Sequence, residues 1–283
     1  MQLIDGKIVS AKVKDEVKEG VGALAAKGIH GTLAVIQVGD DPASSIYVRN
    51  KARACEYVGL GSVVYHEDAS MTEEALLEKI DGLNRDPEII GILVQLPLPD
   101  HMNEIRITEA IDPAKDVDGF HPTNVGALSI GRDCMLPCTP AGVIRLLHEY
   151  GIDADGKHCV VIGRSNIVGK PMGMLMLREN ATVTMAHSHT KDLPALCRTA
   201  DILIAAVGIT GFVTKEFVKE GAVVIDVGIN RDENNKLHGD VAFDEVKDIA
   251  SAITPVPGGV GMMTIAMLMQ NCLTALKNRQ QDS

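Results

Sequence analysis

The stretch "VVIGRSNIVGKPMG", Val160–Gly173, decides how this chain folds. A β-branched run ends in a glycine turn, and helix-forming residues follow almost at once. A buried parallel strand that feeds straight into a helix aims backbone N–H groups and the positive end of the helix dipole at one point, a seat for an anion. The turn is a variant of the dinucleotide fingerprint: Gly163 takes the first glycine position, Ser165 replaces the second, and Gly169 arrives one residue later than the third would. Such a turn also occurs with no ligand, so its surroundings have to decide. "TPAGVIRLLHEYG" before it reads as a helix, and "ATVTMAH", "DILIAAVG" and "GAVVIDVGI" after it read as further strands. Together they predict an open, Rossmann-type α/β unit from residue 136 to residue 261.

The strand end at "AHSHTKD" bears on the ligand. Folds that choose NAD usually place Asp or Glu there for the ribose 2′-hydroxyl. Here His187, Ser188 and His189 occupy the tip, and Arg164 stands in the glycine turn. A cation and a hydroxyl suit a 2′-phosphate, so NADP is favoured over NAD.

Upstream, the same grammar runs once more. Val9, Val13, Val17, Val21 and Leu24 recur at helical spacing, and "TLAVIQV" is a continuous apolar run of the buried parallel type. A helix opened by "GDDPAS" follows, then a strand "SVVYH", a helix around "TEEALLEKIDGLN" and a strand "IIGILVQL". That series predicts a second α/β domain, residues 1–120, with the final helix 262–283 returning to it and residues 121–135 as an ordered connection. The expected fold class is α/β, two α/β domains with a cleft between them.

Composition narrows the function. The 283 residues carry a formal charge of −11 and 3% aromatics, with no Trp, so the cores are aliphatic and a nucleic-acid partner is excluded. The N-terminus has acids and helical periodicity where a signal peptide needs an apolar run, and polar residues interrupt the apolar C-terminal stretch, which reads as a buried helix rather than a membrane span. Six scattered cysteines without a C-x-x-C pair suit reduced thiols in a cytoplasmic enzyme and no metal site.

Four places could carry chemistry. Tyr47 and Lys51, in "SSIYVRNKARACEY", are four residues apart and share a helix face, whereas Arg49 and Arg53 fall off it as ordinary surface charges. Gln95 follows a buried strand and precedes two prolines, at the carboxyl end of a parallel sheet, where open α/β folds place ligands. Asp116 and Asp118 lie in the turn "KDVDGFHP". The "TPVPGGVGMMT" loop has glycines at 258, 259 and 261 that let backbone approach a ligand. Each alone has a bland reading: a solvated lysine, a capping amide, an Asx-turn, a stiffened loop.

In order and spacing, "YVRNK", "GILVQLPLP", "KDVDGF", "PCTPAG", "GRSNIVGKPM", "HGDV" and "PGGVG-MT" resemble the bacterial bifunctional methylenetetrahydrofolate dehydrogenase/cyclohydrolases over essentially the whole chain. The resemblance implies a homodimer that oxidises 5,10-methylenetetrahydrofolate with NADP and hydrolyses the methenyl product to 10-formyltetrahydrofolate. It implies Lys51 as the catalytic lysine, Tyr47 stacking on folate, Gln95 assisting the lysine and Asp118 binding the pterin edge. Val94, Leu96 and Pro257 would add substrate contacts, and the Gly258–Gly259 loop would close over the substrate. Gly163, Arg164, Ser165, Ser188 and Ile229 would hold NADP. Two positions depart from the family pattern: Met262 and Thr210 stand where proline is common. Methionine at 262 is expected to loosen the loop slightly, and Thr210 bears on cofactor affinity or preference.

Hydride loss from the methylene bridge needs alignment more than acid–base help. Hydrolysis needs proton movement, which a partly buried lysine oriented by a neutral amide can provide. Three other readings stay open: a monofunctional dehydrogenase, another two-domain NADP oxidoreductase, and a nucleotide-sensing module.

Overall fold

A computed structural model describes residues 1–281. β1 (Gln2–Leu3) and α1 (Gly6–Ala25) open the chain. A β-α-β-α-β series follows: β2 (Thr32–Val38), α2 (Pro42–Val58), β3 (Gly61–Glu67), α3 (Glu73–Arg85) and β4 (Ile89–Val94). Two short helices, α4 (Glu104–Ala110) and α5 (Pro122–Ser129), lead to α6 (Cys138–Glu149). A second series runs β5 (His158–Ile162), α7 (Gly169–Arg178), β6 (Thr182–Ala186), α8 (Leu193–Cys197), β7 (Ile202–Ala205) and β8 (Val223–Asp226). β9 (Asn230–Arg231) and β10 (Leu237–His238) pair antiparallel, and α9 (Phe243–Val246), β11 (Ala252–Ile253) and α10 (Val260–Gln281) complete the order.

The chain divides into two compact units. One comprises Lys12–Leu136 and the C-terminal helix from Ile265 on; the other comprises Met1–Ala11 and Pro137–Thr264. In the first, β2 is central in a parallel sheet of order β3-β2-β4, with Val35 paired to Val64 on one side and Leu93 on the other. Burial on both faces explains the continuous apolar runs of β2 and β4; Ile36, Leu76, Ile80 and Ile92 form the core beneath. In the second, a parallel sheet has the order β1-β11-β8-β7-β5-β6, over a core that includes Val160, Leu203, Val224 and Ile253.

The first break between the two compact units falls within α1, after Ala11. Residues 1–11 belong with the dinucleotide-type unit, because β1 adds to its sheet edge, pairing Gln2 with Ala252 and Leu3 with Ile253. Two-residue strands carry no period to read, so sequence alone gave no sign of the pairing. Residues 121–135 likewise fall inside the first unit, with α5 as regular structure. Helix α7 starts at Gly169, which leaves 164–168 as loop between the glycine turn and the helix.

Candidate active site

Helix α2 builds the first cluster. The Asp41 side chain caps it by accepting from the Ser44 N–H, and Gly59 ends it with φ 85°. Ser44, Val48, Lys51, Cys55 and Val58 are buried along one stripe. Lys51 therefore occupies a place where an apolar residue is the rule, and its residue is only 9% exposed. Tyr47 is half-buried one turn before it, while Arg49 and Arg53 are exposed.

A lysine so placed needs a partner, and Lys51 Nζ donates to Gln95 Oε1 at 2.9 Å. The amide has a fixed sense, since Gln95 Nε2 donates to the Leu96 carbonyl at 2.7 Å, which leaves Oε1 for the lysine. Gln95 itself is anchored just past β4 by its backbone N–H, which donates to the Ile36 carbonyl at 2.8 Å. The Leu96–Pro97 peptide is cis.

Asp118 enters through a neighbouring turn stitched to β4, where the Ile92 N–H donates to the Lys115 carbonyl at 2.8 Å. Buried Asp116 organises that turn: its carboxylate accepts from Gly119 N, His121 N and Asn124 Nδ2. Asp118 lies on a pocket whose lining includes Val94, Leu96, Thr108, Asp116 and Phe120. Burial pushes its carboxyl up to about 6, against the opposing pull of Lys51 and reinforced by Asp116. The first unit thus brings Lys51, Gln95, Val94, Leu96 and Asp118 to the end of one sheet. Such a group can position an aromatic heterocycle, offer it a carboxyl and move a proton through an amine.

In the second unit, the glycine turn has the geometry its sequence predicts. Gly163 sits at φ 137°, and a Cβ on it would lie 2.3 Å from the Ala206 carbonyl oxygen. A Cβ on Gly169 would lie 2.5 Å from the Gly163 carbonyl oxygen. Both glycines are required by close backbone approach. Ser165 Oγ accepts from Val168 N and Gly169 N, both at 3.2 Å, which shapes the entry to α7. At the end of β6, Thr190 Oγ1 accepts from His187 N and His187 Nδ1 from His189 N, which leaves Ser188 exposed at the tip. Arg164 and Ile229 are exposed too. The cradle without Cβ atoms, the cation and the hydroxyl fit a phosphorylated dinucleotide.

Pro257, Gly258 and Gly259 also lie in the second unit. Gly258 has φ 109°, and its carbonyl accepts from the Gly6 N–H at 2.8 Å. Pro257 lines a pocket with Lys236, His238 and Phe243. Met262 does more than sequence reasoning allowed: its N–H donates to the Gly259 carbonyl at 3.1 Å, a bond proline could not make. Thr210 is exposed in the loop after β7. Sequence reasoning gave no role to Asp226 or Asp240, which are buried at the end of β8 and just past β10. The only signal for Asp240 was the "HGDV" string, which names no chemistry by itself, and Asp226 lay within the strand-like run "GAVVIDVGI".

Family models for the tetrahydrofolate dehydrogenase/cyclohydrolase catalytic domain and NAD(P)-binding domain match residues 4–118 and 137–280. The chain belongs to the tetrahydrofolate dehydrogenase/cyclohydrolase family. A bifunctional protein FolD from Agathobacter rectalis is 62% identical over 275 residues, 97% of this chain and 99% of that one. The crystal structure of the bifunctional FolD methylenetetrahydrofolate dehydrogenase/cyclohydrolase from Campylobacter jejuni superposes with a TM-score of 0.97 at 54% identity, covering 99% of each chain. The Trypanosoma brucei methylenetetrahydrofolate dehydrogenase-cyclohydrolase, crystallised with NADP cofactor and inhibitor, gives 0.93 at 39% identity, covering 98% of this chain and 97% of that one. Family membership leaves no room for a purely nucleotide-sensing module, since the catalytic-domain model covers the Lys51–Gln95–Asp118 cluster.

Proposed function

We propose that this chain oxidises 5,10-methylenetetrahydrofolate to 5,10-methenyltetrahydrofolate with NADP, and hydrolyses that product to 10-formyltetrahydrofolate. The observation that carries the reading is the buried Lys51 amine held by a neutral, orientation-locked Gln95 beside Asp118. Family membership and the glycine turn of the second unit support it from outside that cluster.

NADP, when bound, would supply the acceptor for the hydride lost from the methylene carbon. The chain's task in that step is alignment. The turn at Gly163 and Ser165 receives the phosphates, Arg164 and Ser188 meet the 2′-phosphate, and Ile229 packs against the cofactor. On the folate side, Tyr47 stacks on the ring system, and Val94 and Leu96 supply apolar contact. Asp118 binds the polar pterin edge.

In the hydrolytic step, water adds to the methenyl carbon, the bond to one ring nitrogen breaks, and that nitrogen leaves protonated. Lys51 is the general acid/base for these transfers. Gln95 suits it because an amide orients the amine without holding it as ammonium, as a carboxylate would. A homodimer is supported by the long exposed edge of β3. A cytoplasmic setting fits the reduced, buried thiols of Cys55, Cys159 and Cys197, each pushed up to about 12 by burial.

The direct test follows absorbance while the enzyme is incubated with methylenetetrahydrofolate and either NADP or NAD, which reports reduced cofactor and methenyl accumulation together. Lys51→Met is expected to cut methenyl hydrolysis by at least about 10²-fold, the usual span of general acid–base catalysis. Near-normal hydrolysis in that variant would sink the assignment. Dehydrogenation with no hydrolysis in the unaltered enzyme would favour the monofunctional reading.

A further inference from the structure

Two buried carboxylates that the proposed function does not use, Asp226 and Asp240, stand at the end of β8 and just past β10. Asp240, 0% exposed, is the better connected. Its Oδ2 accepts from Val207 N at 2.7 Å and Gly208 N at 3.0 Å; its Oδ1 accepts from Ile209 N and Asn230 Nδ2, both at 2.9 Å. Three successive backbone amides converging on one anion form a nest of the kind that elsewhere receives a phosphate. Here the chain fills it with its own carboxylate, so the turn at Gly163 is left for the dinucleotide phosphates.

Asp226 fixes the turn that presents Asp240. Its Oδ1 accepts from Gly228 N and Asp240 N, and its Oδ2 from Val241 N, each at 2.9 Å. The fit is tight enough to dictate sequence. A Cβ on Gly239 would lie 1.8 Å from Asp226 Oδ2, and one on Gly228 would lie 2.3 Å from Asp240 Oδ1. Gly239–Asp240 of "HGDV" is thus a steric and hydrogen-bonding unit.

What Asp240 holds matters more than that it is satisfied. Residues 207–209 continue from Ala206, whose carbonyl oxygen limits the space at Gly163. Asn230 is the neighbour of Ile229. The loops fixed by this one carboxylate are therefore those after β7 and β8, next to the glycine turn on its β7 side, at the ligand-binding end of the sheet. We propose that Asp240 is a positioning residue of the dinucleotide site, setting the 206–209 loop and the Ile229–Asn230 turn beside the glycine turn that would receive the cofactor. This rests on the NADP reading of the second unit. The geometry requires an acceptor-only group: Asn at 240 would turn an NH2 towards backbone N–H donors.

The test is NADP binding by calorimetry, with KM for each substrate, in Asp240→Asn and Asn230→Ala. Asp240→Asn is expected to raise KM and Kd for NADP by about tenfold, the scale of a lost charge-assisted hydrogen bond, and Asn230→Ala by about threefold. KM for methylenetetrahydrofolate is expected to move less than about twofold, a split that general loss of structure does not produce. NADP constants within about twofold of the unaltered enzyme in the folded variants, or both KM values rising together, would overturn the inference. If Asp240→Asn does not fold, Asn230→Ala decides alone. An unaltered enzyme that fails to bind NADP would instead overturn the cofactor reading, and this inference with it.

Discussion

Asp118 is placed against its own interest. In the folded chain its carboxyl titrates at about 6 rather than its ordinary 3.8, with burial the first cause. Between those two values the folded state holds a proton that the unfolded state releases, so stability falls as pH rises through this window, and the full cost stands above it. Such a penalty at a pocket-lining residue is the mark of a group kept for function. Asp118→Asn should therefore stabilise the protein at pH 7.5 by about 1–2 kcal/mol, discounted for partial exposure, which is roughly 2–6 °C in melting temperature. At pH 5 the gain should shrink to about half, because the unaltered carboxyl is then largely protonated. The same variant should lose folate affinity. Calorimetric melts at both pH values check the first part, and a pH-independent gain would show that burial of the charge is not its source.

At the scale of elements, the two long β-α series were legible because their periods are unambiguous. β2 spans the residues its apolar run marked, Thr32–Val38, and the valine stripe of α1 is buried as its spacing implied. Helix α2 shows both the reach and the edge of such reading. Spacing placed Tyr47 and Lys51 on one face; it could not say that Lys51 falls within a buried stripe, because a lysine breaks the very pattern that would mark the stripe. The carboxylate scaffolds were not legible for a related reason. Asp240 binds amides 31 to 33 residues away, and no local period records a tertiary hydrogen bond. At Met262 the expected loosening met a backbone hydrogen bond that only a non-proline residue can supply. The glycine turn carries its own prediction. Arg164 is exposed within it, and β6 ends without an acid. Arg164→Ala should lower the preference for NADP over NAD by about tenfold, in kcat/KM measured with both cofactors. An unchanged preference would remove Arg164 from the 2′-phosphate site.

For the whole molecule, the open question is what meets β3. This seven-residue strand, "GSVVYHE", is the edge of the first unit's sheet, and among the described residues its strand partner is β2 alone. Val64, at its centre, is 42% exposed. Natural sheets guard such edges with Pro, Lys or short length; β3 has no proline or lysine and its one acid is at the far end. An unguarded apolar edge invites a second strand, and a second copy of the same edge is the partner always present at equal concentration. The unaltered protein should therefore sediment at twice the 30.2 kDa mass of the chain. Val64→Lys should shift it towards the single-chain mass, because a charge at the middle of a paired edge must be desolvated twice, once in each copy. Lys51 lies on the helix that precedes β3, so dissociation tests a further point: whether the hydrolytic rate per chain survives it. A monomeric unaltered protein would refute the dimer, and a Val64→Lys variant that stays dimeric would move the interface off β3.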